Sequence, residues 1–289
     1  MDALTEITTY FYRGDFTAVI YNCGQLLGDD AYRDIRADLL FWKGMAHYRM
    51  GAIWYGAATE CFVHGMRLAD AGGWLRGRIM VALGMIYAYT GNWQGYRLVM
   101  ADFNELLTKD PSAMPWAPHM WFNYACSLDN AERYAESEIA YETALAAAER
   151  IPGSGRILPK ILHNLGGAKL YTGKYDEALD LMIRAESFPG VEEYMTADQY
   201  SRRAEYCAAI GEYEAAQAWC EKAVSVADDN TCLAAIHCTW AQALRANHKE
   251  RAAGDMALKG LDYAIKGLSY PLIRRINALL QEIRCTTHR

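Results

Sequence analysis

Apolar side chains in this chain recur every three or four residues, the period of an amphipathic helix and not of a strand. The stretch Ile161 to Glu186 states the pattern most clearly. Leu162, Leu165 and Gly166 belong to one predicted helix, Thr172-Gly173-Lys174 is a turn, and Ala178 and Met182 lie on a second predicted helix. A small residue midway along a helix lets its neighbour approach closely, and a glycine in the turn supplies backbone freedom. The same grammar extends in both directions. Mid-helix anchors fall at Ile7, Gly44, Gly84, Ala125, Gly166, Ala204 and Ala241, separated by 37, 40, 41, 41, 38 and 37 residues. This periodicity predicts seven helix-turn-helix units.

The units vary in how they satisfy the pattern. In the first, Ile7 stands where a small residue belongs, and Gly14-Asp15-Phe16, Val19 and Cys23 carry the turn and second helix. The second has Leu40, Gly44, the turn Met50-Gly51, then Ala57 and Cys61 as its expected second-helix core positions. The third has Met80, Leu83, Gly84 and Tyr87, with Tyr96 at a place where alanine is expected. The fourth has Trp121, Tyr124, Ala125 and Leu128, then Ser137, Tyr141 and Ala144. The sixth and seventh repeat the theme with Ala204, Ala216 and Cys220, and with Ala241, Ala253 and Ala257. A last helix is predicted from Ser269-Tyr270-Pro271, with Ile273, Ile276, Leu280 and Ile283 on one face and Arg274, Arg275, Gln281 and Glu282 directed elsewhere, the pattern of a solubilising cap. Ile151-Pro152-Gly153-Ser154-Gly155 reads as a helix stop and a joint.

The order of Leu162, Leu165 and Gly166, followed by Ala178 and Met182, resembles the tetratricopeptide repeat, a helical hairpin with the pattern W-x2-L-G-x2-Y and then A-x3-F. The resemblance implies an all-α, right-handed α-solenoid of about seven tetratricopeptide-like repeats, a single domain over 1–289 with a bend at 151–155 and a C-terminal capping helix. The spacing exceeds the usual 34 residues, and in this the chain is loosely similar to the tetratricopeptide-type peptide-pheromone regulators of Gram-positive bacteria. A single hairpin cannot bury its apolar face alone, so neighbours stack and the first helices line a concave groove. In the family that groove holds a peptide or a partner segment. The resemblance places Met85, Tyr89, Phe122 and Asn123 on the wall contributed by the earlier repeats, and Lys160, His163, Asn164 and Arg202 on the more polar wall that follows. An asparagine amide offers one donor and one acceptor, as an extended peptide bond requires. Asn123 and Asn164 occupy equivalent places in adjacent repeats. Lys160, Asn164 and Arg202 are similar to part of the carboxylate clamp of chaperone-binding members, although Phe122 stands where the first basic residue of that clamp would be.

Composition narrows the function. Hydrophobic residues make up 52% of the 289 positions and charged residues 22%, enough apolar material for a continuous core. A net charge of -6 argues against general nucleic-acid binding. The opening MDALTEITTYFYRGD has no secretory pattern, and the eight cysteines form no C-x2-C pair, so a reduced cytoplasm is expected. Neither long uncharged run, Ile79 to Tyr96 or Pro111 to Leu128, is continuously apolar, and no membrane association is expected. Cys61 and His64 share a helix face but lack a second ligand pair, so no metal or other cofactor is expected. There is no phosphate loop, no dinucleotide fingerprint and no nucleophile elbow, and no catalytic set is assigned. The expected function is a non-catalytic scaffold that binds a peptide or protein segment. The alternative is an intracellular peptide-sensing regulator whose solenoid changes curvature. The N-terminal repeat, with Leu4, Ile7 and Phe11, is expected to provide a surface for docking or homodimerisation.

Overall fold

The computed structural model describes residues 2–69, 73–190 and 192–287. These residues form fifteen α-helices and no strand. The helices pair as α1 (Ala3–Tyr12) with α2 (Phe16–Leu27), α3 (Arg36–Arg49) with α4 (Tyr55–Leu68), and α5 (Gly73–Thr90) with α6 (Trp93–Lys109). There follow α7 (Ala117–Asn130) with α8 (Tyr134–Arg150), α9 (Leu158–Tyr171) with α10 (Tyr175–Glu186), and α11 (Glu192–Ala209) with α12 (Tyr213–Val226). The last pair is α13 (Asn230–Ala246) with α14 (Glu250–Lys266), and α15 (Tyr270–Thr287) ends the array. All seven anchors thus fall in the first helix of a hairpin. The chain divides into two compact units, Met1–Ala88 with Asn92–Tyr124 and Tyr89–Gly91 with Ala125–Arg289.

The turn obeys a rule tighter than the helix pattern. A residue with positive φ stands seven positions after every anchor: Gly14, Gly51, Gly91, Glu132, Gly173, Gly211 and His248. Glycine adopts this left-handed conformation without steric cost, whereas Glu132 and His248 adopt it at φ 60° and 56°. Five residues beyond the turn, six hairpins place a buried residue: Val19, Tyr96, Ser137, Ala178, Ala216 and Ala253. The second hairpin differs. Its core positions are Ala58 and Phe62, both at 0% exposure, and not the expected Ala57 and Cys61. A short 3-10 turn over Ala52–Trp54 takes up two extra residues before α4 begins, which rotates the buried stripe of that helix.

In the first unit the core is built on large rings. Phe62, Tyr96 and Phe103 are fully buried, and glycines stand opposite them. A Cβ on Gly44 would come within 2.6 Å of Phe62, and one on Gly84 within 3.1 Å of Tyr96 Oη. This explains why tyrosine replaces the expected alanine at 96: Gly84 makes room for its ring, and the hydroxyl donates to the Met120 carbonyl at 2.8 Å. In the last two hairpins of the second unit the equivalent places are small on both sides, whereas its earlier hairpins bury the Tyr141 ring and set Gly166 against Met182. Ala178, Ala204, Ala216, Ala241, Ala253 and Ala257 are all at 0% exposure. The segment between α8 and α9 lies in this unit. It turns at Gly153 (φ 88°) into a 3-10 turn over Ser154–Arg156, and Ser154 and Ile157 are buried.

Candidate functional site

The polar side of the second unit is assembled from first helices. On α9, Asn164 donates to the Lys160 carbonyl one turn earlier, at 3.1 Å, and its Oδ1 faces Arg202 Nη2 of α11 at 3.4 Å. The Arg202 guanidinium lies against Gly167, where a Cβ would overlap it, so the second glycine of Gly166-Gly167 makes space for this arginine. Arg202 pairs with Glu205 one turn on, and Glu205 also accepts from Thr239 of α13 at 3.1 Å. Burial works against the charge on Arg202, but Glu205 foremost, then Tyr171 and Asp129, keep its pKa above the usual arginine range. Two buried polar atoms here have no hydrogen-bond partner, Arg202 Nε and Asp129 Oδ1. The other Asp129 oxygen accepts from the Tyr141 hydroxyl at 2.8 Å.

The terminal helix contributes to this side, which the apolar pattern of α15 did not suggest. Ile276, Leu279, Leu280 and Ile283 are buried against α13 and α14 as a cap requires. Arg275, expected to face away, instead donates to the Tyr171 hydroxyl and to Gln242 Oε1 at 3.3 Å. Tyr171 is stacked on Tyr134 with ring centroids 4.1 Å apart. Arg274 donates to the Asn130 carbonyl at 2.9 Å, joining the ends of α7 and α15 across 144 residues. A sequence signal for this was present in Arg274-Arg275, adjacent cations at the start of a helix, where cations oppose the helix dipole unless they have partners elsewhere.

The other predicted site residues are placed as follows. Lys160 is exposed, and Asn164 and Arg202 are half-buried. His163 is 5% exposed, and burial, helped by the charge of Arg202, holds its pKa well below the usual histidine value, so the ring is neutral. In the first unit, Asn123 is 8% exposed and its amide donates to the Val81 carbonyl at 3.4 Å. Phe122 and Met85 are half-buried, and Tyr89, which falls in the second unit, is 52% exposed. Asn164 and Arg202 are thus brought together, Lys160 meets Asn164 through its backbone carbonyl, and Asn123 is engaged separately in the first unit.

Sequence reasoning missed an ionic cluster in the second unit. Lys169 Nζ lies 2.8 Å from Glu138, 2.8 Å from Glu177 and 3.2 Å from Glu142, while Lys174 also reaches Glu138 at 2.6 Å. Burial would raise the pKa of Glu138, but the bonds from Lys169, Lys174 and Thr172 outweigh it and hold the carboxyl at about 2. The residues come from α8, α9, the turn after α9 and the start of α10, so no local motif announces them. Among the described residues no group of three or more potential ligands could hold a metal ion, and no helix is long and apolar enough to cross a membrane. Cys61 and His64 line a cleft of about 520 Å³ with Lys43, Glu60 and Arg36, and burial raises the pKa of the Cys61 thiol.

Comparison with known proteins agrees with the architecture. Residues 119–188 and 197–230 match models of the tetratricopeptide repeat. No curated protein matches the chain. Among solved structures, the chain is similar to a tetratricopeptide repeat protein from Parabacteroides merdae ATCC 43184, at 15% identity and a TM-score of 0.63 over 98% of this chain and 97% of that one. The chain therefore carries tetratricopeptide repeats over 119–188 and 197–230, within a seven-hairpin fold shared over nearly its whole length with a tetratricopeptide repeat protein.

Proposed function

We propose that this tetratricopeptide-repeat chain is a non-catalytic scaffold whose first-helix side grips a peptide or protein segment. Repeats of this family serve as protein-interaction scaffolds. The observation that carries the finer reading is the connected polar line from Asn164 through Arg202 and Glu205 to Thr239, which contains an unpartnered buried donor, Arg202 Nε. A peptide backbone presents alternating donors and acceptors, and buried polar atoms are stabilised by completing such bonds. In this reading Lys160, Asn164 and Arg202 touch the segment, and His163 supports the wall from behind. Asn123, Phe122, Met85 and Tyr89 are proposed contacts, with Asn123 exchanging its Val81 bond for one to the ligand.

The test is to purify the protein from its native host, elute bound peptides in acid and identify them by mass spectrometry. Asn164→Ala should weaken rebinding of those peptides by roughly 1–3 kcal/mol, and Asn123→Ala by a similar amount. Unchanged affinity in both variants would remove these residues from the site, and no retained peptide or protein would remove the scaffold reading.

A second reading, a peptide-sensing regulator, is favoured by one feature. Arg274 and Arg275 tie α15 to Asn130 and Tyr171, so a segment competing for those groups would release the terminal helix. Hydrogen exchange at the α15 amides, with and without the eluted peptide, tests this. Identical protection in both states would exclude it.

A further inference from the structure

The first unit holds a second cationic group in quite different surroundings. Arg78, on α5, carries its guanidinium over the rings of Phe41 at 4.1 Å, Trp42 at 4.8 Å and Trp74 at 5.4 Å. The rings extend the line on both sides, with Tyr12 6.2 Å from Trp42 and Trp116 5.2 Å from Trp74. The Trp116 indole N–H donates to the Trp74 carbonyl at 2.8 Å, which fixes that wall. The site is open: Tyr12 is 79% and Trp74 47% exposed, and Arg78 itself is partly exposed.

An arginine partly taken out of water ordinarily acquires a carboxylate or carbonyl partner. Arg78 is bound by no ion pair or hydrogen bond among the described residues, and none of its nitrogens is among the buried unpartnered atoms. Rings surround its central carbon, and no hydrogen bond to the described residues occupies its N–H groups. Asp38 on α3 is near enough to act on the charge of Arg78 but forms no ion pair with it. A guanidinium held among rings is restrained in advance, so its forked N–H groups can meet a planar carboxylate with little further loss of freedom. The exposed rings beside it offer apolar contact to whatever carries that carboxylate.

We propose that Arg78, with Trp74 and Tyr12, forms a recognition site for a carboxylate borne next to an aromatic or other apolar group, such as an acidic residue flanked by phenylalanine. As the anchor of a bound peptide this rests on the segment-binding reading above; as a carboxylate site it stands alone. The competing account is that Arg78 only covers apolar surface with its aliphatic stem, a role methionine would also fill.

The experiment titrates the full-length protein with 3-phenylpropanoate and with its neutral amide, followed by tryptophan fluorescence. The carboxylate should bind at least about tenfold more tightly than the amide, as expected for a charge-assisted bidentate contact. Arg78→Met should erase that preference while leaving helicity and melting temperature near wild type. Arg78→Lys should keep only part of it, and Asp38→Asn should strengthen it by removing a competing charge. Equal binding of the two probes by wild type, or a preference that survives in Arg78→Met, overturns the proposal. A parallel arm uses the peptides acetyl-Gly-Phe-Glu-Gly-amide and acetyl-Gly-Phe-Gln-Gly-amide. Preference for the glutamate peptide, lost in Arg78→Met, supports both readings. Carboxylate preference with neither peptide bound supports the site and counts against segment binding. Peptides bound without preference overturn the site alone.

Discussion

The two units solve one packing problem in different ways. In the first, a glycine on one helix faces a large ring on the next, as Gly44 faces Phe62 and Gly84 faces Tyr96. In the last two hairpins of the second, small residues stand on both helices, with Ala204, Ala216, Cys220, Ala241 and Ala253 all fully buried. Close-packed interiors constrain summed volume and shape more than the identity of either partner. Two small side chains, or none opposite a ring, can therefore hold similar hairpins. The polar faces diverge as well. The first unit surrounds Arg78, which has no ion pair among the described residues, with rings, while the second links Arg202 and Arg275 to a carboxylate, amides and a hydroxyl. The matched repeat segments, 119–188 and 197–230, lie mainly in the second unit.

The largest effect expected from breaking this contrast is at Glu138. Glu138→Ala leaves Lys169, whose side chain is 8% exposed, without its most buried partner, and should destabilise the protein by about 3 kcal/mol in urea unfolding. The same group sets an acid limb. Its folded pKa of about 2 lies below that of an unfolded glutamate, about 4.3. Its contribution is therefore complete above the unfolded value and is lost as pH falls from about 5 toward 2. Glu138→Gln should flatten stability across that window. An unchanged acid limb would show that the cluster contributes nothing to folding.

A smaller loss is expected in the first unit. Gly44→Ala places a methyl 2.6 Å from the Phe62 ring, which is fully buried. Overpacking of this kind costs about 1–3 kcal/mol. Pairing Gly44→Ala with Phe62→Leu should recover part of the loss, because it moves the hairpin toward the solution used in the last two hairpins of the second unit. Failure to recover any stability would mean that the ring is required for a reason other than volume.

The sequence made the hairpin count legible because the anchors are local: each is a small or apolar residue set in a helical period, and all seven were found. What escaped it depends on residues distant along the chain or on backbone conformation. Lys169 reads as a solvated lysine until α8 brings Glu138 to it from 31 positions earlier. Arg275 reads as the outer face of a cap until Tyr171, 104 positions away, accepts its bond. The stripe of α4 was misread because an insertion in the turn leaves the helical period intact while rotating its phase. At the candidate site, Lys160 and Asn164 were legible from one-turn spacing and Arg202 from the repeat. Burial of His163 was not, since the periodic pattern gives the face of a helix but not the depth at which a neighbour covers it.

The turn rule supplies the finest test of whether the repeats are equivalent. Glu132 and His248 are exposed and occupy the left-handed place that glycine fills in the other five hairpins. That conformation costs a residue with a Cβ about 1 kcal/mol, and the greater freedom of glycine in the unfolded chain returns part of any gain. Glu132→Gly should therefore stabilise by about 0.5 kcal/mol, with no packing lost. His248→Gly should gain less, because histidine enters this region more readily than most residues. The reciprocal change, Gly173→Glu, should cost about 1 kcal/mol while leaving open space around the new side chain. Urea midpoints measured for the three variants decide the matter through their signs. A loss on Glu132→Gly would mean that glutamate at this turn is held by an interaction worth more than the strain, and the seven turns would then not be interchangeable.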